Sequence, residues 1–169
     1  YIDAWNAYLT RDVHILKFVP ASGAASRMFK DLFAFLSSPS DAPSTAFERI
    51  FFEHIESFAF HAALDEACRK NEGAGIRELI ADGQYKAVVK NLLEADGLNY
   101  GALPKGLLLF HDSEKGPRAA LEEHLVEGAL YARNHAGRVN IHLTVSPEHQ
   151  ALFEQLVARV VPVYEKQFG

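Results

Sequence analysis

The chain alternates between short runs of branched and aromatic side chains and longer stretches in which apolar residues return every three or four positions, the two periods that separate strands from amphipathic helices. Ile2, Trp5, Tyr8 and Leu9 predict a helix over residues 1 to 11 that ends near Asp12. His14 to Val19 reads as a buried strand stopped by Pro20. The small residues 21 to 26 form a loop, and a helix is expected to start at Arg27 and run through Phe33. After the polar break at 37 to 44, Phe47, Ile50, Phe51, Ile55, Phe58 and Leu64 predict one long helix reaching about Lys70. Shorter helices follow at Ile76 to Ala81 and Gln84 to Glu94, separated by Asp82-Gly83 and closed by Asp96-Gly97. Residues 34 to 100 therefore read as an all-helical block.

Strand character returns at Leu107 to Phe110, and a Gly116-Pro117 turn leads into a helix over Ala119 to Ala132. Val139 to Val145 is a second strong strand. Ser146-Pro147-Glu148 then supplies an N-cap, a proline at the first helical position and an acid near the positive end of the dipole, for a helix running to Phe168. Strands alternating with helices predict an α/β fold with a parallel sheet.

Composition narrows the functions open to such a fold. With 49% hydrophobic residues in 169, the chain can bury a substantial core. The 22 acidic and 17 basic residues are dispersed, so no basic stripe offers a surface to nucleic acid or an anionic membrane. No apolar run approaches the roughly 20 residues that span a bilayer. One cysteine, Cys68, rules out an intrachain disulfide and any multi-cysteine zinc site, and a cytoplasmic location is the expectation. Because the chain begins inside a helical pattern without an initiator methionine, it is expected to be part of something longer.

Chemistry is suggested first by the loop. Small residues between a buried strand and a helix gather backbone N–H groups at a helix N-terminus, where a phosphate is favoured. Arg27 at the first turn could hold that phosphate bidentately. Only Gly23 is a glycine and no Gly-Lys-Ser/Thr follows, so neither the dinucleotide fingerprint nor the P-loop is present. His54 and His61 lie seven apart without a third ligand, His142 and His124 read as packing or surface residues, and Cys68 reads as a small buried apolar residue. The Phe47, Phe51 and Phe58 stripe reads as core, and Glu122-Glu123 as a solvated helix face.

Pro20-Ala21-Ser22-Gly23-Ala24-Ala25-Ser26-Arg27-Met28 resembles the loop Ala-Ala-Gly-x-Gly-Thr/Ser-Arg-Met/Leu of the nucleotidyltransferases that join nucleoside triphosphates to sugar or polyol phosphates. Their second motif, Pro-Lys-x-Leu-Leu, is similar to Pro104-Lys105-Gly106-Leu107-Leu108. Gly116-Pro117, Leu121 to His124 and Val145 to His149 follow in the family's order. The likeness covers residues 14 to 33 and 103 to 160, and it also suits a bacterial family of this kind carrying the same loop and a helical insert.

This resemblance implies a GT-A, Rossmann-like nucleotidyltransferase domain formed by residues 1 to 33 and 101 to 169, with 34 to 100 inserted and the remainder beyond Gly169. It implies that Ala21, Ser22, Gly23, Ala24, Ala25 and Ser26 cradle a nucleotide, that Arg27 contacts its phosphates and that Lys105 balances charge at the α-phosphate. The partners would be a nucleoside triphosphate and a phosphorylated small molecule. Mg²⁺ would be required, its ligands lying outside this chain. Ala25 stands where the family has its second glycine, and its Cβ is expected to obstruct the phosphates or a left-handed backbone. The alternatives are a non-catalytic nucleotide or sugar-nucleotide module, and a helical interaction protein whose loop is only structural.

Overall fold

A computed structural model describes residues 1–11 and 14–169. Its arrangement is mixed α/β: eight helices accompany two small sheets among the described residues. Helix α1 spans Ile2–Leu9 and is capped at Thr10, so the expected end near Asp12 falls outside the described residues. Strand β1 is Leu16–Pro20 and β4 is Asn140–Thr144; they pair in parallel, Leu16 opposite Asn140 and Pro20 opposite Thr144. Pro20 thus ends the strand from within it, at a position where its missing N–H costs no ladder bond. This one pair is the parallel sheet anticipated from the pattern. Its residues alternate faces: Val19 and Leu143 turn towards the helices, whereas Leu16 and Phe18 remain 59% and 60% exposed.

The segment 34 to 100 is built from helices and turns, as its periodicity predicts. It continues α2 (Lys30–Ser37) with α3 (Ala46–Glu53), α4 (His61–Glu72), α5 (Ile76–Ala81) and α6 (Tyr85–Leu93). The single long helix expected from 47 to 70 is instead broken, with a 3₁₀ turn at Ile55–Ser57. Aromatic packing explains the break: Phe58 stacks on Phe51 at 5.5 Å and on Phe60 at 5.0 Å, and Phe60 meets Tyr100 edge-on at 5.6 Å. Positions 58 and 60, two apart, lie about 200° round a helix, so an unbroken one could not bring both rings to the same core. Each such pair adds roughly 0.5–1.5 kcal/mol beyond area burial.

Two apolar cores result. The larger joins the helical segment to Ala25, Phe29, Tyr100 and Leu108. The smaller lies between the parallel pair, α7 (Ala120–Tyr131) and α8 (Gln150–Phe168), around Leu121, Phe153, Leu156 and Val160. Leu109 touches both. It opens β2 (Leu109–His111), which pairs antiparallel with the two-residue β3 (Arg118–Ala119) rather than joining the parallel sheet, while Leu107 belongs to a 3₁₀ turn. Gly128 allows α7 to lie close to β4, since a Cβ there would sit 2.9 Å from Ile141 and Val139 side-chain carbons. At the last helix, Pro147–His149 form a 3₁₀ turn before α8, and the Ser146 hydroxyl bonds the His149 ring at 2.9 Å instead of capping backbone N–H groups. No helix among the described residues is long and apolar enough to cross a membrane.

Candidate functional site

The loop after β1 leaves the C-terminal end of the parallel pair, the end where open α/β sheets take ligands. Ala21 N–H extends the ladder to Thr144 O at 2.9 Å. The chain then turns towards the second motif. Ala25 N–H donates to Leu103 O and Lys105 N–H donates to Gly23 O, both at 3.2 Å, so Ala24 pairs antiparallel with Pro104. Two segments about eighty positions apart in sequence are thereby stitched backbone to backbone, and the helical segment leaves and returns beside this junction.

The helix expected at Arg27 begins at Lys30. Residues 26 to 29 form turns closed by Met28 N–H to Ala25 O at 2.8 Å and Phe29 N–H to Ser26 O at 3.3 Å. This route buries Ala25 and Phe29 together in the larger core. Ala25 is fully buried in the larger core and its φ is not positive, so its methyl group faces the interior. The obstruction expected of its Cβ is therefore not found. Among the described residues, the N–H groups of Ser22, Gly23, Ala24, Ser26 and Arg27 donate no hydrogen bond.

Between the loop, the second motif and α7 lies a cleft of about 240 Å³. Ala21, Gly23, Lys105, Gly106, Ala120 and His124 line it, with Val19, Leu143 and Phe153 behind. A Cβ on Gly106 would meet the Phe153 ring at 2.9 Å, so this glycine lets the Lys105 backbone rest against α8. Ala120 and Leu121 bring the first turn of α7, with the positive end of its dipole, to the wall. Lys105 is exposed and makes no ion pair among the described residues. Arg27 is likewise exposed and unpaired among them, but lies outside the lining, as do Ser22, Ala24, Ser26 and the buried Ala25.

His124 occupies a wall of this cleft rather than a purely packed or surface position. Its Nδ1 lies 3.2 Å from Glu127 Oε2, and Glu127 is bound in turn by the Lys17 ammonium reaching across from β1. Lys17, and then His124, hold the Glu127 carboxyl below its usual range. Among the described residues, Lys105 and His124 are the only titratable side chains lining the cleft, and none of the lining is a carboxylate. The Mg²⁺ implied by the resemblance thus has no oxygen ligand set on these walls, and no group of three or more His, Cys, Asp or Glu among the described residues could hold a metal ion. A larger hollow of about 540 Å³ between β4, α7 and α8 contains none of the motif residues.

No curated protein and no solved structure matches this sequence. The likeness to nucleotidyltransferases is carried by the motifs alone, with no match to a family of that name behind it. A family profile described as a domain of unknown function, DUF4301, matches residues 1–169, and the chain belongs to that family.

Proposed function

We propose that the cleft binds the phosphates of a nucleoside triphosphate, and that the protein transfers the nucleotidyl group to a sugar phosphate or a similar phosphorylated acceptor within a GT-A-like domain. The observation that carries this reading is the pairing of Ala24 with Pro104, which joins the two motifs beside the C-terminal end of a parallel strand. Its support is chemical as well as geometric. Lys105 and the unpaired Gly23 N–H give the walls positive character, with no carboxylate among the described lining residues.

In the reaction an acceptor phosphate oxygen bonds to the α-phosphorus while the bond to pyrophosphate breaks and the pyrophosphate leaves with the electron pair. The acceptor is already ionised, so the protein's part is to position the groups and balance charge, with Lys105 at the α-phosphate side and Arg27 at the outer phosphates. One observation favours a second reading, a nucleotide-binding module without catalysis: among the described residues the lining contains no carboxylate for a metal ion.

Calorimetric titration of nucleoside triphosphates into the intact protein tests binding. Hydrogen bonds to charged groups contribute about 1.5–3 kcal/mol, so Arg27→Ala or Lys105→Ala should each weaken affinity roughly ten- to a hundredfold. Unchanged affinity in both variants would reduce the motifs to a likeness of fold. Pyrophosphate release from the wild type with phosphorylated acceptors then separates transfer from simple binding.

A further inference from the structure

We propose that His124 is a phosphate-contacting residue of the cleft that carries a proton, so that binding of a polyanion takes up a proton at this imidazole. The inference rests on reading the cleft as a polyanion site and adds a group that neither sequence motif includes. Three links place it there. The ring lines the same 240 Å³ cleft as Lys105 and Gly23. Its Nδ1 is engaged by Glu127 at 3.2 Å, which leaves Nε2 as the nitrogen free for a ligand. Glu127 is itself held by Lys17 from β1, so the pair is tied to the strand that carries the loop rather than to its own helix alone.

The groups around the ring define its chemistry. Glu127 comes from α7, Lys17 from β1 behind that carboxylate, and Lys105 from the 3₁₀ turn across the cleft; β4 and α8 contribute the apolar Leu143 and Phe153. With Nδ1–H donated to Glu127, a neutral ring turns a lone pair on Nε2 towards incoming phosphate oxygens and repels them. A protonated ring offers them a charge-assisted N–H instead. Phosphate contact and protonation are therefore coupled. Glu127 is a positioning residue: it fixes the ring and its tautomer.

The test is calorimetry of ATP binding to the intact wild type, His124→Gln, His124→Lys and Glu127→Gln between pH 6 and 8, in buffers of differing ionisation enthalpy. Circular dichroism confirms that each variant is folded. ATP titrates in the same window, so the quantity read is the difference between wild type and His124→Gln. If contact with the phosphates favours the protonated ring, wild-type affinity should rise several-fold more than that of His124→Gln from pH 8 to pH 6, with excess proton uptake. His124→Lys should bind tightly without the excess, and Glu127→Gln should move the wild-type window to lower pH. Identical pH dependence and proton uptake in wild type and His124→Gln overturn the proposal while leaving the cleft as a nucleotide site. Failure of the wild type to bind ATP at any pH overturns both.

Discussion

Replacing Ala25 by glycine restores the residue usual in the motif that the loop resembles, and the structure reverses the intuitive expectation of what that does. If the methyl group faced the ligand, its removal would open the site. Ala25 is instead fully exposed to the core and not to solvent, beside Phe29 and Leu32, with its N–H fixed on Leu103 O. Removing a buried methyl costs about 0.8 kcal/mol of transfer free energy. The extra backbone freedom of glycine in the unfolded chain costs about another 0.4–1 kcal/mol. Ala25→Gly should therefore destabilise the fold by about 1–2 kcal/mol, which lowers the melting temperature of a domain this size by roughly 2–8 °C. Differential scanning calorimetry reads the melting temperature, and titration with ATP on the same samples should show an affinity within twofold of the wild type. A tenfold gain in affinity at unchanged melting temperature would refute the placement of this methyl group.

Other sites give independent checks. Tyr100 is buried and its hydroxyl accepts from Leu109 N–H at 3.0 Å, so Tyr100→Phe should cost about 1 kcal/mol in chemical denaturation by leaving that donor without its partner; no loss would contradict the contact. Burial, with Asp65 and Glu72 nearby, pushes the Cys68 thiol up to about 11. Thiol reagents at pH 8 should therefore label it only as the protein unfolds, and rapid labelling of the native state would show that the thiol is accessible. The Thr45 N–H, joined by that of Ser44, holds the Glu48 carboxyl below its ordinary value of 4.5 against the opposing effect of burial. A lowered folded-state pKa means stability that is present above pH 4.5 and lost as pH falls through the folded value. Glu48→Gln should remove that part of the acid sensitivity in pH-dependent melting, and an unchanged acid limb would argue against it.

What could be read from the sequence followed from local pattern. Ile76 to Ala81 is legible because Asp82-Gly83 ends a short amphipathic run, and β4 because Ile141 and Leu143 alternate with polar neighbours ahead of Ser146-Pro147. Local pattern misleads where distant residues decide local geometry. Nothing near Phe58 signals that its ring must reach Phe51 and Phe60, so the helix from 47 to 70 reads as continuous. α2 starts at Lys30 after turns over residues 26 to 29, which follow the tether of Ala24 to Pro104, a partner eighty positions away. β3, at two residues, carries no periodicity to detect. The site divides in the same way. Lys105 and Gly23 were recognisable as members of two motifs, and the structure joins those motifs through their backbones. His124 was not recognisable, since its significance depends on Lys17 in β1 and on a cleft wall that forms only when α7 packs against the loop.

A crystal structure of the intact protein with a non-hydrolysable nucleoside triphosphate tests the central claim most directly. The triphosphate is expected in the cleft at the end of β1, against the backbone of residues 21 to 24, with a phosphate oxygen about 2.7–2.9 Å from the Lys105 ammonium. A nucleotide bound instead in the hollow between β4, α7 and α8, or one whose phosphates touch neither the loop nor Lys105, would contradict it.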